Sequence, residues 1–170
     1  MKNLIMIVLS ILFFVGCAPK DPNIKSVTYV NLDKYLGTWY EIARYEHFFE
    51  KDCKNVTATY EVLKDDKIKV INRCQLITTN EKKEAIGKAY TVDDTNSKLK
   101  VSFFWPFYGD YWVIMLADDY SYAVVSEPTK EYLWILSREK NLHKNIKNNI
   151  LNKLKELDYD TSKLIWTIQE

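Results

Sequence analysis

Three cysteines are the side chains of this 170-residue sequence with the clearest capacity for chemistry. Two of them, Cys53 and Cys74, lie in the body of the chain and form no CxxC pair, and neither His47 nor His143 has ligand-like spacing to them. In an oxidising compartment such a pair is expected to form a disulfide, which stabilises the fold by about 3 kcal/mol in the loop-entropy model. Redox chemistry or metal binding by the pair is the alternative.

The third cysteine, Cys17, follows a segment with the features of a secretory signal. Lys2 supplies a positive start, and the apolar run after it is too short to span a bilayer comfortably. The run ends in Phe-Val-Gly-Cys, which resembles the bacterial lipobox, although Phe14 departs from the usual Leu. The sequence therefore predicts a signal peptide over 1–16, acylation of Cys17, with palmitate as a typical chain, and a tether over 17–30. An ordinary signal peptide with an incidental cysteine is the alternative.

Charge and motif content argue against other classes of function. Without Lys2, 23 basic side chains face 23 acidic ones, so nothing favours a nucleic-acid partner. No GxSxG, no HExxH and no plausible pair of catalytic carboxylates is present. Glu41 is the one acid that could point into an interior, and a single buried acid is typical of a hydrogen-bonded structural group. No enzymatic activity, cofactor or metal is therefore expected.

The elements that position these residues are mainly β-strands. Eight runs of strand-forming residues are separated by turn signals. They occupy residues 37–46, 55–63, 67–75, 84–91, 98–105, 110–117, 121–127 and 131–138. Eight antiparallel strands with short connections predict an up-and-down barrel or a sandwich. Gly87, in the middle of its run, favours the bend of a barrel.

The last strands require a cover on their outer side. The fifth run alternates between apolar and polar residues, so one of its faces meets water, whereas the last three runs are apolar on both faces. From Leu142 to Leu157, apolar residues recur every three or four positions. This pattern predicts an amphipathic helix on the outside of the barrel, followed by a short final strand near 163–169.

Three motifs give the sequence a specific family resemblance. The segment LGTWYEIAR at 36–44 resembles the Gly-x-Trp motif in the first strand of the lipocalins, GDYWVI at 109–114 resembles their second motif, and LWILSR at 133–138 resembles their third. The chain is most similar to the bacterial lipocalin branch, which is related to apolipoprotein D and to plant temperature-induced lipocalins. The resemblance implies an all-β domain over 31–170: an eight-stranded antiparallel up-and-down barrel with a C-terminal helix packed outside.

The lipocalin motifs also imply how the barrel is closed. Trp39 is expected to plug the narrow end, Arg138 to stack its guanidinium over the indole, and Gly37 to admit a tight turn before the strand. These residues hold the base shut and do not bind a ligand. If strand one starts at the base, the connections after strands one, three, five and seven form the mouth, and Cys53 and Cys74 meet near its rim.

Aromatic residues of the first and fifth connections are expected at this mouth. They are Phe48, Phe49, Trp105, Phe107 and Tyr108. An exposed apolar rim beside a lipid anchor is costly in water. The rim is therefore expected to dip into the membrane interface.

Residue parity along the strands predicts a lined cavity. The ligand-binding residues it points inward are Tyr60, Asn72, Phe103, Tyr111, Tyr132 and Trp134. Four of them match ligand-lining positions of apolipoprotein D, which the chain resembles: Tyr60, Asn72, Tyr111 and Trp134. An apolar lining with a few phenols and one amide suits an acyl chain oriented by a few hydrogen bonds.

The predicted function is lipid binding at the cell envelope. The expected ligand is a fatty acid or a lysophospholipid, held or transported for envelope maintenance or stress. Ala18, in place of an Asp, favours the outer membrane, with the lipid anchor holding a monomer or weak dimer on the periplasmic side. The alternatives are a structural or interaction lipoprotein whose barrel is filled by its own side chains, and a lipocalin-type enzyme.

Overall fold

A computed structural model describes residues 24–65 and 67–170. The predicted signal peptide, Cys17 and the first part of the predicted tether lie outside these residues. The strands are β1 (Gly37–Arg44), β2 (Cys53–Val62), β3 (Ile68–Leu76), β4 (Lys82–Thr91), β5 (Lys98–Phe104), β6 (Phe107–Leu116), β7 (Tyr122–Ser126), β8 (Leu133–Ser137) and β9 (Ile165–Trp166). The helices are α1 (Leu32–Tyr35) and α2 (Lys144–Glu156), with 3₁₀ turns at Phe48–Glu50 and Thr161–Lys163.

The strands pair in chain order, and the sheet closes on itself. Strands β2 to β8 are hydrogen-bonded consecutively, β8 pairs with β1, and β1 pairs with β2. All of these pairings are antiparallel. The predicted eight-stranded up-and-down barrel is therefore confirmed, and the sandwich alternative is wrong. β9 is an additional strand on β1.

The closed end is built around Trp39, whose side chain is fully buried. Its Nε1 donates to the carbonyl oxygen of Tyr35 at 2.8 Å. The guanidinium carbon of Arg138 lies 3.7 Å from the centre of the indole ring, and its Nη atoms donate to the carbonyl oxygens of residues 34–36 and 38. Gly37 adopts φ +88°, a left-handed conformation that favours glycine at this turn. These contacts seal the base.

Helix α2 covers the apolar outer faces of the last strands, as its spacing predicts. Ile150 and Leu154 are fully buried and pack in one cluster with Val124 of β7 and Ile135 of β8. Each such side chain contributes about 1.5–3 kcal/mol when fully buried. The His143 side chain accepts a hydrogen bond from the amide of residue 145 and caps the helix. The helix therefore packs on the outside of the barrel wall and does not enter the interior.

The packed part of the chain begins earlier than the sequence predicts. The amide of Val27 donates to the carbonyl oxygen of Val113 at 2.8 Å, and that of Val30 donates to Thr95 at 2.8 Å. Ile24 and Val30 are both buried. Residues 24–30, the second half of the predicted tether, thus lie on the barrel and are held there by backbone hydrogen bonds.

The C-terminal segment completes the barrel wall at the open end. β1 pairs with β2 only along its first half, where Gly37 faces Tyr60. Beyond that point the segment after β9 lies between the two strands. The amide of Thr167 donates to β1, and the carbonyl oxygen of Ile168 accepts from β2 at 2.7 Å. The Gln169 amide nitrogen donates to carbonyl oxygens of both strands at 2.8 Å.

Candidate functional site

The interior of the barrel is closely packed at its base and accessible at its open end. Toward the base, the inward side chains Val70, Leu99 and Val113 are buried. Farther up the same walls, inward residues such as Phe103 and Trp134 are only half-buried. The open half of the barrel is therefore a lined space that water reaches.

Three phenols form a hydrogen-bonded chain on the floor of this space. The Tyr111 hydroxyl is 2.7 Å from the Tyr35 hydroxyl and 2.8 Å from the Tyr60 hydroxyl. Burial raises the pKa of Tyr60 to about 12, and burial also raises the pKa of Tyr35 and of Tyr111 well above the ordinary value. All three hydroxyls keep their protons at neutral pH. Two hydrogen bonds use two of these protons, so the trio has one O–H left to donate.

Asn72 on β3 and Phe103 on β5 lie above the phenols, with β4 between them. Asn72 sits between Ala58 of β2 and Ala85 of β4, all with inward parity. Among residues 24–65 and 67–170, no group hydrogen-bonds to the buried Asn72 Oδ1. An unsatisfied buried amide oxygen costs about 1–3 kcal/mol, so this atom favours a bound donor. Phe103 packs with the interior cluster.

Tyr132 and Trp134 line the side of the open end next to β8. Their rings stack with centroids 5.8 Å apart and an interplanar angle of 10°. His47 stacks on Phe49 at 4.0 Å and also contacts the Trp134 ring at 5.2 Å. These rings form an aromatic wall that runs from the interior to the rim.

A buried ionic cluster lies beside this aromatic wall. Glu41 and Arg44 come from β1, and His47 and Glu50 come from the turn that follows it; all four side chains are buried. Arg44 Nη1 is 3.3 Å from Glu41 Oε1, and Arg44 Nη2 donates to the Glu50 carbonyl oxygen at 2.7 Å. His47 Nε2 is 3.1 Å from Glu50 Oε2. The Thr167 hydroxyl donates to Glu41 Oε1.

The two carboxyl groups of this cluster titrate in opposite directions. Burial, followed by the negative charge of Glu50, raises the pKa of Glu41 to about 8. Burial alone raises the pKa of Glu50 as well, but the hydrogen bond and charge of His47, with the charge of Arg44, outweigh burial and lower this pKa below its ordinary value. At neutral pH the cluster therefore holds Glu50 charged and Glu41 protonated.

Sequence reasoning missed this cluster. Glu41 and Glu50 are buried together in it, and the sequence analysis did not bring these two acids together. The segment from His47 to Glu50 was expected at the mouth as a whole, yet the 3₁₀ turn directs His47 and Glu50 inward. Two pairs of residues in the cluster are spaced three positions apart, Glu41 with Arg44 and His47 with Glu50. This spacing is the feature of the sequence that could have indicated the cluster.

The predicted mouth residues are exposed at the open end, on two opposite sides of it. Phe48 is 81% exposed on the connection from β1 to β2, and Trp105 is 83% exposed on the connection from β5 to β6. Four strands separate these connections in either direction around the ring. Phe49, Phe107 and Tyr108 are exposed too, and so is Phe104, which the sequence analysis did not single out.

A disulfide joins Cys53 of β2 to Cys74 of β3 near the same end. The predicted pairing is confirmed. Because both cysteines are in the disulfide, neither has a free thiol for the redox chemistry or metal binding considered as the alternative. Elsewhere in the described residues, no group of His, Cys, Asp and Glu side chains is arranged to hold a metal ion. Along 24–65 and 67–170, no helix is long and apolar enough to cross a membrane.

A closed eight-stranded barrel with a Trp–Arg seal and an accessible apolar interior is the architecture of a small-ligand carrier of the lipocalin type. Residues 30–169 match the family model of the lipocalin-like domain. The chain belongs to the lipocalin family.

Bacterial lipoproteins are among the similar proteins. The outer membrane lipoprotein Blc of Vibrio cholerae is 44% identical over the full length of both chains. Outer membrane lipoprotein Blc of Escherichia coli K12 is 43% identical, covering 91% of this chain and 89% of its own. Both support the location predicted from the sequence, the bacterial outer membrane with a lipid anchor.

Among solved structures, insecticyanin from the tobacco hornworm Manduca sexta superposes with a TM-score of 0.71. It is 27% identical, and the match covers 89% of this chain and 86% of that one. The barrel described above is therefore shared with an animal lipocalin.

Proposed function

We propose that this lipocalin holds one single-chain lipid, a fatty acid or a lysophospholipid, in the open half of its barrel. The observation that carries the proposal is the accessibility of inward-facing residues above the phenol trio. Ala85 points inward and is nevertheless exposed, and Phe103, Tyr111 and Trp134 are half-buried. An interior filled by its own side chains would bury these positions as it buries Val113 at the base.

The chemistry of the lining supports a lipid with few polar atoms. Phe103 and Trp134 offer apolar surface to an acyl chain. The Asn72 oxygen and the remaining phenol proton offer one acceptor and one donor, enough to orient a hydroxyl, ester or carboxylic acid group. A larger polar ligand would leave most of its own groups unpaired, at about 1–3 kcal/mol each.

The setting supports a role at the envelope. Two relatives with 43% and 44% identity are outer membrane lipoproteins. At such a location, the lipids of the membrane are an available source of the ligand. Holding or moving such single-chain lipids is the form of envelope maintenance that this proposal assigns to the protein. The family is one of binding proteins, and the lining is arranged for binding.

Native mass spectrometry and calorimetry test the proposal. The protein released gently from its own membrane is expected to carry bound mass in the range of a fatty acid or lysophospholipid. Titration with palmitate and with a palmitoyl lysophospholipid is expected to give one site of micromolar or tighter affinity. Trp134→Ala should weaken it about tenfold, equivalent to about 1.4 kcal/mol.

The matched control is Trp166→Ala on β9, whose ring lies outside the cavity under the Lys147 ammonium. This variant should bind with wild-type affinity. Absence of saturable binding to the wild type contradicts the proposal. Unchanged affinity in a folded Trp134→Ala protein places the ligand elsewhere.

A further inference from the structure

The barrel wall is open along part of one seam. β4 pairs with β5 only from Lys88, opposite Ser102, to Thr91, opposite Leu99. The upper half of β4 pairs with β3 as far as Lys82, opposite Gln75. In the described chain, no strand pairs with residues 82–87 on the other side. The wall is therefore open beside the upper half of β4, from mid-height to the mouth, and we call this opening the slit.

Burial along β4 agrees with this slit. All residues from 82 to 86 are exposed, including Ala85, which has inward parity opposite Asn72. A Cβ on Gly87 would lie 2.7 Å from the Ser102 carbonyl oxygen and 2.9 Å from Phe103 Cδ1. The strands touch at Gly87, and β5 ends at Phe104, so residues 82–85 of β4 extend past its end; the Phe103 ring lies at the lower end of the slit. The cavity is open to the side as well as at the top.

Exposed apolar side chains border the slit on the outside. We call these residues the flank patch: Ile86, Tyr90, Phe104, Trp105, Phe107 and Tyr108. The strand pairings give Ile86, Tyr90 and Tyr108 outward parity. The Tyr90 and Tyr108 rings meet edge to face with centroids 5.4 Å apart. Six large apolar side chains contiguous on one flank are costly in water and mark a binding surface.

Charge and chain geometry identify a lipid bilayer as the occupant. Lys82 and Lys88 are exposed on the outward face of β4 beside the patch, and Glu84 between them is paired with Arg73. Aromatic residues flanked by lysines suit an anionic membrane interface. Ile24, where the described chain begins, packs near Ile114 of β6. From there to Cys17 the chain spans at most about 24 Å. A lipid on Cys17 is therefore within reach of the side of the barrel that carries the patch.

We infer that the barrel docks on the bilayer through the flank patch, and that the slit admits an acyl chain sideways from the membrane. Phe48, on the opposite side of the ring, then faces away from the lipid. This replaces a mouth-down orientation, in which both sides of the rim enter the bilayer together. The docking stands independently, whereas the acyl route rests on the proposed function.

Site-specific fluorescence in the full lipidated protein tests the docking. Ile86→Cys and Phe104→Cys on the flank, Phe48→Cys on the opposite rim and Val62→Cys at the closed end are each labelled with an environment-sensitive dye without reductant. The protein is reconstituted in phosphatidylethanolamine–phosphatidylglycerol vesicles that contain doxyl-labelled lipid. The dyes at 86 and 104 are expected to shift to the blue and to be quenched, while those at 48 and 62 keep the spectrum of water.

Each other outcome overturns the inference. Equal quenching at 48 and 86 means that the mouth points down. No quenching at any position means that the barrel stands clear of the membrane. A dye at 86 that is shielded without lipid quenching, together with cross-linking of Ile86→Cys between two molecules, means that a second copy covers the patch.

Lipid uptake tests the route. Ile86→Ser combined with Phe104→Ser is expected to slow the transfer of cis-parinaric acid from vesicles several-fold, with its affinity for dispersed probe retained. The control is Tyr29→Ser combined with Val62→Ser, two exposed apolar residues outside the patch. Equal transfer rates in the two variants contradict the lateral route. Failure of the wild type to bind dispersed probe instead contradicts the proposed function and leaves the docking result to stand by itself.

Discussion

At the scale of single residues, the Arg44 guanidinium holds β1 and the following turn together on one side of the open end. Arg44 contacts the Glu41 carboxyl group and the Glu50 main chain, and so connects β1 to the turn that carries Phe48 and Phe49. Because the charges of Arg44 and Glu50 are buried 3.5 Å apart, removing one of them costs about 3–5 kcal/mol by leaving the other uncompensated. The cluster therefore fixes the aromatic rim on this side of the mouth.

Glu41→Gln is expected to flatten the pH dependence of stability. The folded-state pKa of Glu41 is about 8, against an ordinary value of 4.5. Between these two values the folded protein retains a proton that the unfolded chain releases, so the free energy of unfolding falls as the pH rises through this window. Glutamine stays neutral and removes this term. Urea unfolding at pH 5, 6.5 and 8 measures it.

The control for this experiment is Glu84→Gln, which removes an exposed acid paired with Arg73. It should keep the wild-type slope. A Glu41→Gln protein whose stability falls with pH as steeply as the wild type means that Glu41 is ionised in the folded state at neutral pH.

At the scale of elements, the C-terminal segment acts as part of the wall although its strand is only two residues long. Its stability comes from neighbours on both sides, since Thr167 donates to β1 and Ile168 accepts from β2. It also supplies the hydroxyl that binds Glu41. The cavity wall at this seam therefore depends on the last residues of the chain.

Deletion of residues 165–170 is expected to open the seam between β1 and β2. The Asn55 amide loses its acceptor on Ile168, and two carbonyl oxygens lose the Gln169 side chain. The expected result is a lower free energy of unfolding and faster hydrogen exchange of the Asn55 amide. Denaturant unfolding and exchange measured by nuclear magnetic resonance check both effects.

The matched control is Glu170→Ala, which keeps the main chain and removes only a mostly exposed side chain that pairs with Lys54. Exposed pairs contribute about 0–1 kcal/mol, so this change should have little effect. If the deletion leaves the Asn55 amide as protected as in the full chain, the wall between β1 and β2 closes without the C-terminal segment, and the prediction is contradicted.

At the scale of the whole molecule, the start of the described chain, the flank patch and the opening into the cavity lie on one side of the barrel. The described chain begins beside β6, and the flank patch extends over β4 to β6 on the same side. The slit beside the patch leads past Phe103 to the accessible interior. The proposed route takes a lipid from the bilayer to the barrel without crossing water, and it requires an anchor that holds the protein at the membrane surface.

Cys17→Ser is expected to release the protein from the outer membrane or to leave it unprocessed. Without the acylated cysteine, the flank patch is the remaining membrane contact. Stable anchoring requires two strong hydrophobic signals, and one weak surface contact does not replace them. Fractionation of the cell envelope with intact mass measurement checks the outcome. A Cys17→Ser protein that still fractionates with the outer membrane at the mature mass of the wild type contradicts lipidation at this residue.

Local sequence patterns by themselves determined the class of fold and its closure. Alternation of residues assigned Phe103 and Trp134 to the inner face, and the spacing of apolar residues predicted α2. The lipocalin motifs predicted the contact between Trp39 and Arg138, and two isolated cysteines predicted the disulfide. Each of these features depends on neighbours a few positions apart or on a motif that recurs with its fold.

Only the tertiary structure decided which inward positions remain accessible and where the wall opens. Strand periodicity gives the face of a residue, but it gives neither its height in the barrel nor the point at which a strand loses its partner. The burial of Glu50 beside Glu41, the wedge of Ile168 between β1 and β2, and the slit above Gly87 all depend on register and on where neighbouring strands stop pairing. Those quantities are set by closure of the whole ring, which no short stretch of sequence encodes.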